Sequence, residues 1–193
     1  MKNQIIIHSS GQQTRVALLE NGELAQLFIE SEENQRTVGD IYYARVHKVM
    51  SGIRAAFIDV GMEKDAFLHF SDAGDHLGSY IMMLNGENSL SSSVREELKS
   101  FHKLSNDNKQ TFAGKMLNNN QKLLVQIVKE PIGSKGPRVS TDITIAGRFL
   151  VLIPMGEYIA VSKKITNNKE RRRLKSTVGD MLPKGFGVII RTV

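Results

Sequence analysis

"IYYARVHKVMSGIRAAFIDVGMEKDAFLHF", residues 41–70, is the stretch on which the fold turns. Residues 41–50 alternate apolar and polar side chains, the pattern of a strand with one buried face. Residues 53–60 form a mostly apolar run and residues 66–70 a shorter one. Ser51-Gly52 and Gly61 separate the three runs and are turn formers. Two further strands are expected at 121–129 and 138–145. Five strands, arranged as three, an insertion and two, predict a small closed barrel of the OB type.

The insertion, about 71–120, contains Ser- and Asn-rich stretches at 85–93 and 118–120. Such sequence buries little apolar surface, so the insertion is expected to be mobile, with a helical turn or two over 94–103. Upstream of the barrel, apolar runs at 4–8, 14–19 and 24–29 predict a β-meander. Its second and third strands flank Asn21-Gly22, a strong hairpin signal. The polar, acidic residues 31–37 read as a linker. Downstream, residues 143–154 form one long apolar run ending at Pro154, followed by a short strand at 158–161. Asn167 or Asn168 can cap a helix over 168–181, with Leu174, Val178 and Met181 on its apolar side. Arg171, Arg172, Arg173 and Lys175 are then expected to face outward. Pro183-Lys184-Gly185 breaks the helix, and Gly187-Val188-Ile189-Ile190 reads as a last strand. The predicted class is α+β, mainly β.

The chain has 193 residues, 40% of them hydrophobic and 24% charged, ordinary values for a globular protein with a real core. Cysteine is absent, which excludes disulfides and thiolate metal sites. No apolar run reaches the length of a membrane span, and no membrane partner is expected. A cytoplasmic location is the expectation. The net charge of +6 is unevenly placed: residues 1–128 carry a net of −2 and residues 129–193 a net of +8. A locally basic surface favours a polyanion such as nucleic acid. It can also be a solvated face with no partner.

Phe57 and Phe67 sit on the middle strands of the predicted barrel. Aromatics there either stack on successive nucleobases or fill the core. Phe70 is the weaker candidate by alternation. In "EPIGSKGPR", residues 130–138, Gly133 and Gly136 allow close backbone approach and Lys135 can meet a phosphate as a point charge. The same loop is equally a hairpin turn with a solvated lysine. Arg191-Thr192 offers a guanidinium fork and a hydroxyl suited to phosphate, although such a pair is often ordinary surface. His8, His47, His69, His76 and His102 lack metal-ligand spacing. No pair of carboxylates, phosphate-cradling loop or nucleophile elbow is visible. No catalytic and no metal-binding residue is therefore assigned, and no cofactor is expected in this chain.

Four segments occur in a telling order: residues 41–72, "LLVQIVKEPIGSKGPRVSTDITIAGRFLVLIP" (123–154), "ERRRLK" (170–175) and "LPKGFGVIIRT" (182–192). Together they resemble the N-terminal part of the bacterial ribonuclease E/G family. The resemblance implies three modules. Residues 1–36 correspond to the first strands of an RNase H-like subdomain completed later in the family. Residues 37–142 correspond to an inserted S-one-type OB domain that binds single-stranded RNA, and 143–193 to a 5′ sensor. By the same resemblance, Phe57, Phe67 and Lys135 match RNA-contacting positions. Arg191, Thr192 and the Gly147 N–H match the grip on a 5′-monophosphate, and Val151 the apolar contact to the terminal base. Ala44 departs from the family, whose barrels often have glycine there.

The family's full-length members are implied to be Mg²⁺-dependent endoribonucleases and homo-oligomers. Their metal-holding aspartates lie in a later subdomain with no counterpart in these residues. The chain is thus expected to end inside the sensor, with residues 187–193 poorly ordered for want of partners. The rival expectation is a stand-alone OB-fold RNA-binding adaptor without cleavage. A translation-associated OB protein is a third reading, which leaves residues 143–192 unexplained.

Overall fold

A computed structural model describes residues 2–10, 13–31, 37–100 and 104–192. Most of the expected linker, the end of the 94–103 helix, His102 and Val193 therefore lie outside the described residues. Contacts divide the chain into two units, residues 1–37 and 38–193.

The first unit is the meander. Strands β1 (Asn3–Ser10), β2 (Gln13–Glu20) and β3 (Glu23–Ser31) pair antiparallel in the order β1-β2-β3. Asn21 and Gly22 both take positive φ, 53° and 89°, the geometry a two-residue hairpin loop needs to match strand twist. Register places Ile5 and Ile7 opposite Leu18 and Val16, and Val16 opposite Phe28. Ile6 and Leu27 fall on the other face by alternation. Both faces are therefore apolar, yet Ile5, Ile7, Leu27 and Phe28 are all exposed.

In the second unit, β4 (Ile41–Met50), β5 (Ala55–Asp59), β6 (Ala66–His69), β7 (Lys122–Lys129) and β8 (Arg138–Ser140) close into a barrel in the order β4-β5-β6-β8-β7. This is the OB-type architecture. The ten residues of β4 are long enough to pair with β7 through its first half and with β5 through its second. Closure is completed by one parallel pairing, β6 with β8, at Phe67 and Arg138. The inward positions of the strands, among them Val46, Ile58, Leu68, Leu123, Val125 and Val139, are fully buried. Ala44, the departure from glycine, also points into this core.

The insertion departs from expectation. It supplies α1 (Leu77–Asn85), α2 (Ser92–Leu98) and α3 (Asn106–Met116), joined to the same core through Leu77, Ile81, Leu90, Phe112, Ala113 and Met116. Its polar residues serve as caps. Ser91 and Ser105 accept from Val94 N and Asn108 N at the starts of α2 and α3. Asn85 exchanges two hydrogen bonds of 2.9 Å with the Lys122 backbone, tying α1 to β7.

The expected strand 138–145 stops at Ser140. Beyond it the buried Gln126 amide holds the departing chain: its carbonyl accepts from Thr144 N (3.0 Å), and its Nε2 donates to Thr144 O and Gly39 O (2.8 Å each). The long apolar run is likewise two strands, β9 (Ile145–Ala146) and β10 (Leu150–Pro154), with a turn at 147–149. They join β11 (Ile159–Val161) and β12 (Phe186–Ile190) in a sheet of order β11-β12-β10-β9. The strand expected to lack partners is thus central, antiparallel to β10 and parallel to β11. Pairing on both sides places Val188 and Ile190 in the interior. The crossover from β11 to β12 is α4 (Asn168–Gly179), whose N-terminal amides donate to Asn167 Oδ1.

Candidate nucleic-acid interface

Phe57 on β5 and Phe67 on β6 are direct cross-strand partners. Their rings meet edge to face, 6.0 Å between centroids at 69°. Both are half-buried, because each lies at an outward position of its strand while its inward neighbours fill the barrel. His69 continues the row, 6.4 Å from Phe67. Its Nδ1 is within 2.7 Å of Ser71 Oγ. Phe70 is core, only 3% exposed, and contributes no surface.

The two rings form one wall of a cleft of about 800 Å³, whose lining includes Lys64, Asp65, Lys135 and Arg138. The loop carrying Lys135 is built by its glycines. Gly133 has φ 58°, which lets Lys135 N donate back to Ile132 O (3.1 Å). Gly136 packs against the backbone of Asp65: a Cβ there would lie 2.0 Å from the Asp65 carbonyl oxygen. The glycine thus serves a protein contact where a ligand contact was expected. Lys64 Nζ donates to Gly133 O (3.2 Å), bracing the loop from across the cleft. Lys64, Lys129, Lys135 and Arg138 against Asp65 and Glu130 leave the cleft net basic.

Neither Lys64 nor Arg138 stands out in the sequence. Arg138 enters the cleft only because β8 runs parallel to β6, a pairing no local pattern reveals. Its Nε donates to Asp72 Oδ2 at 2.6 Å. That hydrogen bond, and then the carboxylate's charge, raises the Arg138 pKa further. His47 is another residue of this kind. It is the extra residue of a bulge in β4, between Val46 and Lys48, which turns its ring to Asp65 (Nδ1 to Oδ2, 2.5 Å).

The other predicted set converges at one end of the C-terminal sheet. Arg191 N donates to Phe149 O (2.7 Å), and Arg191 Nη1 is 3.5 Å from Gly147 O. Val151 pairs with Ala146 on one side and Ile189 on the other, so alternation places it on the same face as Arg191. Arg191 and Thr192 are exposed just past β12. The Gly147 N–H is engaged with Leu150 O at 2.8 Å. Arg148 adds a second guanidinium, 5.2 Å from the centroid of the exposed Phe149 ring.

The outward basic row on α4 is smaller than its sequence. Arg171 folds back, Nη1 donating to Ser162 O (2.8 Å) and Ile165 O (2.9 Å) and Nη2 to Val161 O (3.2 Å). Arg173 forms a two-point pair with Glu170 at 2.7 and 2.8 Å.

Residues 144–193 match the Ribonuclease E/G family. Over its whole length the chain is similar to Ribonuclease G of Escherichia coli (strain K12), 35% identical over 192 residues that make up 35% of that protein. Ribonuclease G of Haemophilus influenzae is 36% identical over 98% of this chain and 34% of its own. Ribonuclease E of a Nostoc species is 32% identical over all of this chain and 23% of its own. The chain thus spans about a third or less of the length of these relatives.

Proposed function

The chain belongs to the ribonuclease E/G family, and on that premise we propose that it is the RNA-holding part of an endoribonuclease that cleaves single-stranded RNA and prefers a 5′-monophosphate end. The observation that carries this reading is the side-by-side placement of Phe57 and Phe67 on the barrel surface, in one basic cleft with Lys135. Exposed aromatics stack on bases of any identity, and lysine and arginine follow the phosphates. Such a cleft accepts an unpaired strand and excludes a stiff duplex.

The end of the RNA is read at the other cluster. Arg191 presents a fork to the monophosphate, the Thr192 hydroxyl donates to another phosphate oxygen, and Val151 meets the terminal base. The Gly147 N–H, donated to Leu150 in this structure, must be shared or released when a phosphate arrives. The two-faced apolar sheet of residues 3–31 fits the first strands of an RNase H-like subdomain, which needs cover on both faces.

Hydrolysis in the whole protein is assigned to Mg²⁺, which stabilises charge on the reacting phosphate. Among the described residues no group of three or more His, Cys, Asp or Glu is placed to hold a metal ion. No step through the metal is assigned to these residues. The whole protein is proposed to be a homo-oligomer. None of the described helices is long and apolar enough to cross a membrane.

The test of end recognition is fluorescence anisotropy of this chain with one short RNA carrying either a 5′-monophosphate or a 5′-hydroxyl. Tighter binding of the monophosphate, lost in Arg191→Gln, is the expected result. Equal binding of both by the unaltered chain would sink the sensor assignment.

A further inference from the structure

We propose that Arg138, positioned by Asp72, is a phosphate-binding residue of the barrel cleft, taking the RNA phosphate next to the base stacked on Phe67. The inference rests on the RNA-binding reading of the cleft and adds a residue to it.

Three observations meet at this side chain. Arg138 lies directly across the β6–β8 pairing from Phe67, so its guanidinium stands one strand away from the proposed stacking ring. It lines the same cleft as Phe57, Phe67 and Lys135. Its fork is held from behind: Nε donates to Asp72 Oδ2 at 2.6 Å. Asp72 is fixed in turn, because its carbonyl accepts from Ser140 Oγ (2.8 Å) and Thr141 N (3.1 Å). Among the described residues the two terminal nitrogens of Arg138 have no hydrogen-bond partner, and 39% of the side chain is exposed.

A guanidinium tied at Nε has lost most of its rotamer freedom before a ligand arrives. Its two Nη groups remain to donate to the two non-bridging oxygens of one phosphate. A lysine such as Lys135, with its flexible stem and point charge, supplies charge without that geometry. The arrangement therefore divides the work. Lys135 and Lys64 attract the strand, the Phe rings hold its bases, and Arg138 fixes the position of one phosphate between them.

The test is titration of a short unstructured RNA, followed by anisotropy from 50 to 300 mM salt. The proteins are the unaltered chain, Arg138→Gln, Arg138→Lys, Asp72→Asn and Phe57→Ala, with melting temperatures measured alongside. Removing one phosphate contact from single-stranded RNA lowers the slope of log K against log salt by about 0.7. Arg138→Gln is expected to show that loss with roughly tenfold weaker binding. Arg138→Lys keeps the cation, and Asp72→Asn keeps the Arg138 cation while removing the carboxylate that orients it; both are expected to retain the slope contribution of Arg138 while losing several-fold in affinity. An unchanged slope and affinity in Arg138→Gln, with Phe57→Ala still weakened, overturns the inference and leaves the RNA reading intact. The inference is equally overturned if Arg138→Gln and Asp72→Asn lower the melting temperature alike with both slopes unchanged, since Arg138 then only closes the barrel. Phe57→Ala and Arg138→Gln both binding like the unaltered chain overturns the RNA reading together with the inference.

Discussion

A single carboxylate illustrates how position sets chemistry. Asp142 is packed beside Gly74 with part of its side chain still in water. Burial first, and then the neighbouring Asp75 carboxylate, push its pKa up; His76 opposes them, Asp72 adds a smaller push and Lys109 a smaller opposition. The folded state therefore holds this proton more tightly than the unfolded chain does. Its contribution is fully present below the ordinary carboxylate value, near 4, and is lost as pH rises through the elevated one. Asp142→Asn is accordingly predicted to raise the melting temperature at pH 7, by a free energy of no more than about 1 kcal/mol given the solvent screening. The gain should vanish near pH 3; a gain that persists there would contradict the assignment. Phe57 and Phe67 were legible in the sequence as candidates, since they are aromatics on the middle strands of the predicted barrel. Whether each pointed in or out was not legible, because that depends on the register that sets Phe57 opposite Phe67. His47 was less legible still, because a bulge shifts alternation by one residue and disguises the face.

At the scale of elements, the loop between β7 and β8 and the crossover helix α4 each hang on one residue. Gly136→Ala sets a methyl against the Asp65 carbonyl and forces the loop outward. The predicted cost is about 1–3 kcal/mol, with weaker RNA binding because Lys135 moves with the loop. Thermal melts and anisotropy check this together, and an unaltered melt would refute the contact. Arg171→Ala removes three carbonyl contacts that join α4 to the end of β11 and the segment after it. About 1.5–3 kcal/mol should be lost in denaturant unfolding, against no more than about 0.5 for Arg172→Ala. The strands of the barrel were readable because period-2 patterns and turn residues are local signals. The helices of the insertion were hidden by their own composition. Ser and Asn there act as caps and ties, so a polar stretch that looks unfoldable still anchors Leu77, Ile81, Phe112 and Met116 in the core. The last strand is a different case: it reads as partnerless at the chain's end, yet β10 and β11, just upstream, flank it on both sides. Non-local pairing of that kind leaves no mark on the strand's own sequence.

At the scale of the molecule, sequence basicity overstates the free positive surface. Three of the thirteen Lys and Arg side chains in residues 129–193 are already engaged by the fold: Arg138 through Nε to Asp72, Arg173 to Glu170 and Arg171 to backbone carbonyls. On the proposed RNA-binding reading, long-range attraction draws on the remaining cations, Lys135, Lys163, Lys164, Arg172 and Lys175 among them, and is expected to fade as salt rises. On the same reading, stacking in the barrel cleft distinguishes specific holding from that attraction. The most direct measurement is therefore anisotropy of a short unstructured RNA at one fixed, near-physiological salt concentration. It compares the unaltered chain with Phe57→Ala, Phe67→Ala and the double variant, each shown by thermal melting to be folded. Each single change is predicted to weaken binding by roughly 5- to 150-fold, the equivalent of about 1–3 kcal/mol per stacked base. Folded variants that bind as tightly as the unaltered chain would contradict the account.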